Sequence, residues 1–252
     1  MIREAAHNKH LGWEENFRWR AGEITRLEGF SDAVFAFAVT LLVVSLEVPH
    51  TFDELLDAMR GFAAFGICFA ILSQVWFYHY RYFRRYGLQD TLTTVLNAVL
   101  LFVVLFYVYP LKFLFTMLIG QLSGGASVGG RVVVDAMIAQ RDVPTLMAIY
   151  GAGFAAVFGI FALLYWRAWK QRAQMELTPV EELITQQSLF ESAGVACVGL
   201  FSILLALVLP EHLSGLSGYG YFLIPVVASW AGMHYGRKIR LAKKMQSSAA
   251  SQ

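Results

Sequence analysis

Residues 26–49, RLEGFSDAVFAFAVTLLVVSLEVP, join a charged and polar cluster directly to a long apolar run. The apolar run is long enough to cross a membrane, because a hydrocarbon core of about 30 Å needs about 20 helical residues. Charged groups at the edge of such a helix, here Arg26 and Asp32, cost free energy unless they are paired. We therefore expect this segment to carry the function.

The composition of the chain defines its broad class. Of the 252 residues, 57% are hydrophobic and only 15% are charged, whereas soluble domains carry roughly 25% charged residues. This composition predicts an integral membrane protein. The net charge of +2 is small and the basic residues are dispersed, which argues against a nucleic-acid partner. Cys68 and Cys197 lie in apolar runs without metal-ligand spacing, so neither a zinc site nor a disulfide is predicted.

Six stretches are long and apolar enough to span a membrane. They cover residues 29–48, 58–80, 91–118, 145–168, 189–209 and 219–236. We predict an all-α polytopic membrane protein with these six transmembrane helices in a single domain, residues 1–252. Pro225 falls inside the last stretch and predicts a kink there. The polar start of the chain lacks the apolar region of a signal peptide, so we expect it to stay in the cytoplasm.

The distribution of Lys and Arg predicts the orientation. Of the 20 basic residues, only Arg60, Lys112, Arg131 and Arg141 fall on one side of the predicted spans, and all others fall on the opposite side. Cytoplasmic loops carry an excess of Lys and Arg. The pattern therefore predicts that both termini are cytoplasmic, which agrees with an even number of spans.

The predicted outer loop after the first span is acidic. It contains Glu47, Asp53, Glu54 and Asp57. Negative charge near an outer mouth raises the local cation concentration, and Glu47 is the residue we assign to this attraction. An equally good interpretation is a solvated turn in which Asp53 caps a helix.

Polar residues occur at matching depth on the first three spans. These residues are Ser31 and Asp32 on the first span, Trp76 and His79 on the second, and Asn97 on the third. Ser31 or Asp32 alone would be explained by capping of the first helix. The recurrence on neighbouring spans instead indicates a hydrogen-bonded cluster that locks three helices together.

These residues form motifs that resemble the endosomal and lysosomal potassium channel family and its prokaryotic members. The motifs are Arg26-x-x-x-Phe30-Ser31-Asp32, Trp76-x-x-His79-x-x-x-Phe83, and Asn97 with Pro110. The resemblance implies a cation channel rather than an enzyme, built as a homotetramer in which the first helix of each chain lines the pore. It also implies that Arg26, Phe30, Ser31 and Asp32 anchor the pore helix through Trp76, His79 and Asn97.

The resemblance further implies where such a channel resides and what it binds. We expect a multi-pass protein of the cell membrane, specifically the inner membrane of a prokaryote. Its partners are further copies of the same chain, membrane lipids and permeating potassium ions, and no cofactor or bound metal is expected beyond the permeant ion.

Four residues of the first span share one helical face. Phe37, Thr40, Leu41 and Val44 recur at i, i+3, i+4 and i+7. Such a stripe alone is more often plain packing, but the resemblance assigns the pore constriction and selectivity to these positions. Phe37 departs from the Ile or Leu usual in the family. Either the four rings move aside on opening, or the face is rotated so that Leu41 or Val44 constricts the pore instead.

Thr40 is the only hydroxyl residue on this face near the middle of the membrane. One interpretation is that its oxygen replaces part of the hydration shell of the ion. The other is a hydroxyl bonded to the carbonyl one turn earlier, which is common in apolar helices.

Other functions remain possible from the sequence. A proton-permeable channel is compatible with the same pattern. A secondary transporter would favour repeated halves, broken helices and an ionisable residue at mid-membrane, none of which is visible. A membrane enzyme would need clustered His, Asp or Cys, and His79 alone does not supply that cluster.

Overall fold

The computed structural model describes residues 16–44, 50–122 and 138–250, and within these ranges the chain is helical without strands. The six α-helices are α1 (Arg26–Val44), α2 (Phe52–Tyr86), α3 (Thr91–Leu122), α4 (Val143–Lys170), α5 (Pro179–Val208) and α6 (Leu223–Ala250). Two 3-10 helices, Gln140–Asp142 and Glu211–Phe222, precede α4 and α6. The all-α architecture predicted from the sequence is confirmed.

Five of these helices, α1 to α5, are long and apolar enough to cross a membrane. The sixth, α6, has an apolar first half, and its second half carries basic residues. These are Arg237, Lys238, Arg240, Lys243 and Lys244. Because this basic half is also helical, α6 extends well beyond the predicted span of residues 219–236.

The structure corrects several boundaries and the kink predicted at Pro225. Helix α5 begins at Pro179, ten residues before the predicted span, because Thr178 and Glu181 form a reciprocal capping box. Pro225 lies in the first turn of α6, where its missing N–H leaves no hydrogen bond broken, so the predicted kink has no basis. Pro110 lies inside α3.

The core forms where α1 packs on α2 and α3. Phe35, Ala38 and Leu42 of α1 are buried there. On the far side of the bundle, α4 and α5 approach closely at glycine. A Cβ atom on Gly199 would stand 3.0 Å from the carbonyl oxygen of Gly151, so larger residues would push the helices apart. Close packing of helices at glycine therefore stabilises the bundle in addition to apolar burial.

The segment before α1 closes one end of the bundle. At this end, which we call the N-terminal end, α1, α3 and α5 begin and α2 and α4 finish. Arg20 forms an ion pair with Glu181 of α5 at 2.8 Å, and its Nε donates to the carbonyl oxygen of Met175 at 2.9 Å. The backbone N–H groups of Arg20 and Ala21 donate to the carbonyl oxygen of Arg84 at the end of α2. These contacts set the position from which α1 starts.

Candidate functional site

Helix α1 begins with a capping box that the sequence reasoning missed. The backbone N–H of Glu28 donates to Thr25 Oγ1 at 3.1 Å, and the N–H of Thr25 donates to Glu28 Oε2 at 2.9 Å. The Thr-x-x-Glu spacing is itself the signal for this motif. Helix capping by Ser31 or Asp32 is therefore ruled out, because both lie beyond the first turn.

Glu28 also connects the start of α1 to the next helix. Although it lies on an apolar bundle, its side chain is buried and stands 3.6 Å from Arg84 Nε at the end of α2. A buried carboxylate needs a partner to remain charged. The capping box and this ion pair together fix the entry of α1.

A buried chain of hydrogen bonds joins α1, α3 and α2 one turn further along. Ser31 Oγ donates to the carbonyl oxygen of Leu27 at 2.8 Å and accepts from Asn97 Nδ2 at 2.9 Å. The Oδ1 atom of Asn97 lies 2.8 Å from His79 Nε2. Ser31, Asn97 and His79 are each at most 2% exposed.

This chain fixes the direction of every bond in it. Because the Ser31 hydroxyl hydrogen is used on Leu27, its oxygen must accept, and the Asn97 amide nitrogen must face it. The Asn97 oxygen then faces His79, so His79 Nε2 carries a hydrogen and donates. The ring of His79 is held between Phe35 at 5.7 Å and Phe83 at 4.6 Å. The result is a single preferred arrangement of the three helices.

Asp32 makes a second link from α1 to α2. Trp76 Nε1 donates to Asp32 Oδ1 at 2.8 Å. The indole stacks on the ring of Tyr80 at 5.6 Å, and Tyr80 in turn meets Trp19 edge to face at 5.8 Å. Unlike the chain through Asn97, this pair lies at the surface of the single chain, with Trp76 36% exposed.

Arg26 and Phe30 lie apart from both links. Phe30 is 62% exposed and Arg26 is also exposed. Within the described ranges, Arg26 has no hydrogen bond or ion pair. The structure therefore brings together five of the seven predicted anchoring residues and leaves these two on the open face of α1.

That open face runs the whole length of α1. Its members follow one another at intervals of three and four residues and are all exposed: Arg26, Phe30, Ala33, Phe37, Thr40 and Val44. We call this set the exposed stripe. Phe37 is 56% and Val44 73% exposed, whereas Leu41 is half-buried and packs against the core. Three of the four predicted pore residues thus share the stripe, and Leu41 lies at its edge.

The hydroxyl of Thr40 is bonded within its own helix. Its Oγ1 donates to the carbonyl oxygen of Ala36 at 2.9 Å. This bond uses the hydroxyl hydrogen and leaves the exposed oxygen free to accept. The two interpretations of Thr40 are therefore compatible, since a back-bonded hydroxyl can still offer its oxygen to a cation.

Glu47 lies outside the described residues. Among the residues that are described, no three His, Cys, Asp or Glu side chains cluster as metal ligands would.

Comparison with known sequences identifies relatives over most of the chain. The family model of the endosomal/lysosomal potassium channel TMEM175 matches residues 26–107, which contain α1, α2 and about half of α3. A protein of Marivirga tractuosa named "Potassium channel" is 40% identical over 225 residues, covering 86% of this chain and 90% of that protein.

Two solved structures also resemble this chain. One is a variant of the potassium channel MtTMEM175 in complex with a nanobody–MBP fusion protein, with a TM-score of 0.78 and 37% identity over 88% of this chain and 98% of that one. The other is a lysosomal potassium-selective channel TMEM175 homologue from Chamaesiphon minutus, with a TM-score of 0.50 and 25% identity over 82% and 96% of the two chains.

Proposed function

Because this chain belongs to the TMEM175 family of potassium channels, we propose that it conducts potassium passively through a pore lined by α1 of four identical subunits. The relatives are named potassium channels, so the proposed activity is ion permeation rather than catalysis. The finer features proposed here are the four-fold pore, its constriction, its selectivity and its orientation in the membrane.

The observation that carries the proposal is the contrast between the two faces of α1. One face is buried by α2 and α3 of the same chain, while the exposed stripe has no cover from the described residues. If the exposed stripe faced lipid along its whole length, Arg26 and Thr40 would cost free energy, because polar groups in lipid are unfavourable. A shared central axis gives both residues access to water and ions.

Within the pore, we propose that Phe37 and Val44 form apolar constrictions and that Thr40 contributes to selectivity between them. An apolar ring can gate by dewetting. Leu41 is turned toward the core of its own subunit, so it has less side chain to offer to the pore. Arg26 and Phe30, being on the same stripe, would contact neighbouring subunits rather than α2 or α3 of their own chain.

The proposed orientation has both termini in the cytoplasm of a prokaryotic cell, with the protein in the inner membrane. It rests on the excess of Lys and Arg at the N-terminal end of the bundle and after α6. Glu47 would then lie at the outer mouth.

Purified protein in planar bilayers tests the function. The proposal predicts unitary currents whose reversal potential follows the potassium gradient and does not move with a pH gradient. Slow, saturable and counter-ion-coupled flux in liposomes would instead indicate a transporter, and a reversal potential that follows pH would indicate a proton-permeable channel. Light scattering in detergent should give four copies of the 28.2 kDa chain; a monomer would exclude the shared axis.

A further inference from the structure

A cavity of about 560 Å³ lies inside the subunit, away from the proposed pore. Its walls come from α2, α3, α4, α5, α6 and the 3-10 helix before α6, and no described residue of α1 lines it. The volume is within the range of about 300–1,000 Å³ typical of ligand pockets. A space of this size between packed helices can hold a ligand.

Most of the cavity wall is apolar, and its two charged groups, Arg81 and Glu191, lie at one end. Arg81 and Tyr165 lie five residues before the ends of α2 and α4, and Ser188, Glu191 and Ser192 lie in the first half of α5. All of these positions are toward the N-terminal end of the bundle. The middle and the opposite end are lined mostly by apolar residues such as Leu111 and Val157. The hydroxyls of Tyr107 and Tyr150 in this part already donate to backbone carbonyl oxygens of Ile149 and Pro110. The cavity therefore matches an amphiphile, with a polar head at one end and an apolar chain along the rest.

Two hydrogen-bond donors at the polar end have no partner among the described residues. They are Arg81 Nε and the hydroxyl of Tyr165, and both atoms are buried. Tyr165 is only 2% exposed, so bulk water does not reach its hydroxyl. A buried donor without a partner costs about 1–3 kcal/mol. Both donors therefore favour an acceptor bound in the cavity.

The same end carries both signs of charge. Glu191 accepts a hydrogen bond from Gln187 Nε2 at 2.8 Å, and no ion pair joins Glu191 to Arg81 within the described part of the chain. A purely anionic head on Arg81 would therefore stand near a second negative charge. A zwitterionic head, with a phosphate for Arg81 and an ammonium for Glu191, matches both groups.

We propose that this cavity binds one acyl chain of a zwitterionic aminophospholipid. Its phosphate accepts from Arg81 and Tyr165, and its ammonium faces Glu191. Gln74 and Ala228 line the cavity and are also exposed, so the cavity reaches the surface, where a chain can enter from the surrounding bilayer. Bound lipid would join α2 and α3 to α4, α5 and α6.

Native mass spectrometry of the detergent-purified oligomer tests this site with added phosphatidylethanolamine and phosphatidylglycerol of equal chain length. We expect one phosphatidylethanolamine per chain and about tenfold weaker binding of phosphatidylglycerol. Glu191→Gln should remove this preference. Arg81→Gln should weaken the binding of both lipids about tenfold.

A matched pair of variants on α6 separates the cavity from the general lipid-facing surface. Ala228→Trp fills the mouth, whereas Ser229→Trp adds the same ring at an exposed position outside the cavity lining. Both variants should elute as the same oligomer, and only Ala228→Trp should lose the bound lipid. Equal retention by the two variants, or equal binding of both lipids by the wild type, would overturn the proposal. Loss in Ala228→Trp alone supports the site even if Arg81→Gln fails to assemble.

Discussion

The two faces of α1 differ in how far the rest of the chain covers them and bonds to their polar groups. On the buried face, each polar group has a partner: Ser31 bonds to Leu27 and Asn97, and Asn97 bonds to His79. On the opposite face, Phe37 and Val44 leave more than half of their side chains uncovered.

This difference indicates that the two faces of α1 have separate roles. The network on the buried face holds α1 at a fixed rotation against α2 and α3, because turning the helix would break several bonds at once. The exposed stripe, the proposed pore surface, therefore does not depend on other subunits for its position. Each of the following changes acts on one face and should leave the other intact.

The largest effect is expected from Asn97→Leu, which breaks the buried network at its centre. The substitution leaves His79 without its acceptor and Ser31 without its donor, so the free energy of unfolding should fall by about 2–4 kcal/mol. In a chain of this size we expect the apparent Tm to drop by about 5–15 °C in thermal size-exclusion assays. Val95→Ala, on the exposed side of α3, is the control. An unchanged Tm for Asn97→Leu would show that the network does not hold α1.

Next in size is the effect of Phe37→Ala on the exposed stripe. Removing the ring should widen and wet the proposed constriction and raise unitary potassium conductance about tenfold, equivalent to about 1.4 kcal/mol of barrier. Val43→Ala changes an exposed α1 residue outside the stripe and should leave the conductance unchanged. Equal currents in wild type and Phe37→Ala would mean that the ring is not at the narrowest point.

A smaller effect is expected from Trp76→Phe, which removes only the bond to Asp32 and keeps an aromatic ring against Tyr80. Since this pair is partly exposed, the loss should be about 1 kcal/mol, or about 2–4 °C in Tm. Trp230→Phe on α6 is the matched control, because its indole nitrogen has no hydrogen-bond partner among the described residues. A Tm loss as large as that of Asn97→Leu would contradict the ranking of the two links.

The smallest effect is expected from Thr40→Val, which keeps the shape and removes the hydroxyl. The potassium over sodium permeability ratio should fall about fivefold, as expected for about 1 kcal/mol of lost ion contact. Thr40→Ser keeps the oxygen and should retain the ratio. Bi-ionic reversal potentials measure the ratio in both variants, and full selectivity in Thr40→Val would show that Thr40 does not contribute to selectivity.

Much of the fold follows from the sequence alone. Long apolar runs can satisfy their backbone only as helices in a membrane, so the six helices and the first-span motif were predictable. The ends of the helices are harder to predict. Apolar patterning places the start of α5 ten residues late, because the stretch after Pro179 is polar and the true start is marked by the Thr178 and Glu181 capping box.

The site shows the same limit. Helical periodicity grouped Phe37, Thr40 and Val44 correctly, but it could not decide which edge of the face turns inward, and Leu41 lies against the core. The shared depth of Ser31, His79 and Asn97 on three spans did indicate that they meet. Arg26 fell in the same motif, yet its position on the exposed stripe depends on the rotation of α1, which sequence spacing does not determine.

The central claim is that the exposed stripe of α1 faces the ions, and accessibility of a cysteine on it tests this most directly. In a background with Cys68→Ala and Cys197→Ala, Val44→Cys would be treated with a membrane-impermeant, positively charged methanethiosulfonate reagent during potassium flux in liposomes. Leu42→Cys, at a position with 0% exposure, is the buried control, and mass spectrometry reports modification. We predict that Val44→Cys is modified and its flux is lost, while Leu42→Cys keeps both its thiol and its flux. Full modification of Val44→Cys with undiminished potassium flux would contradict the account.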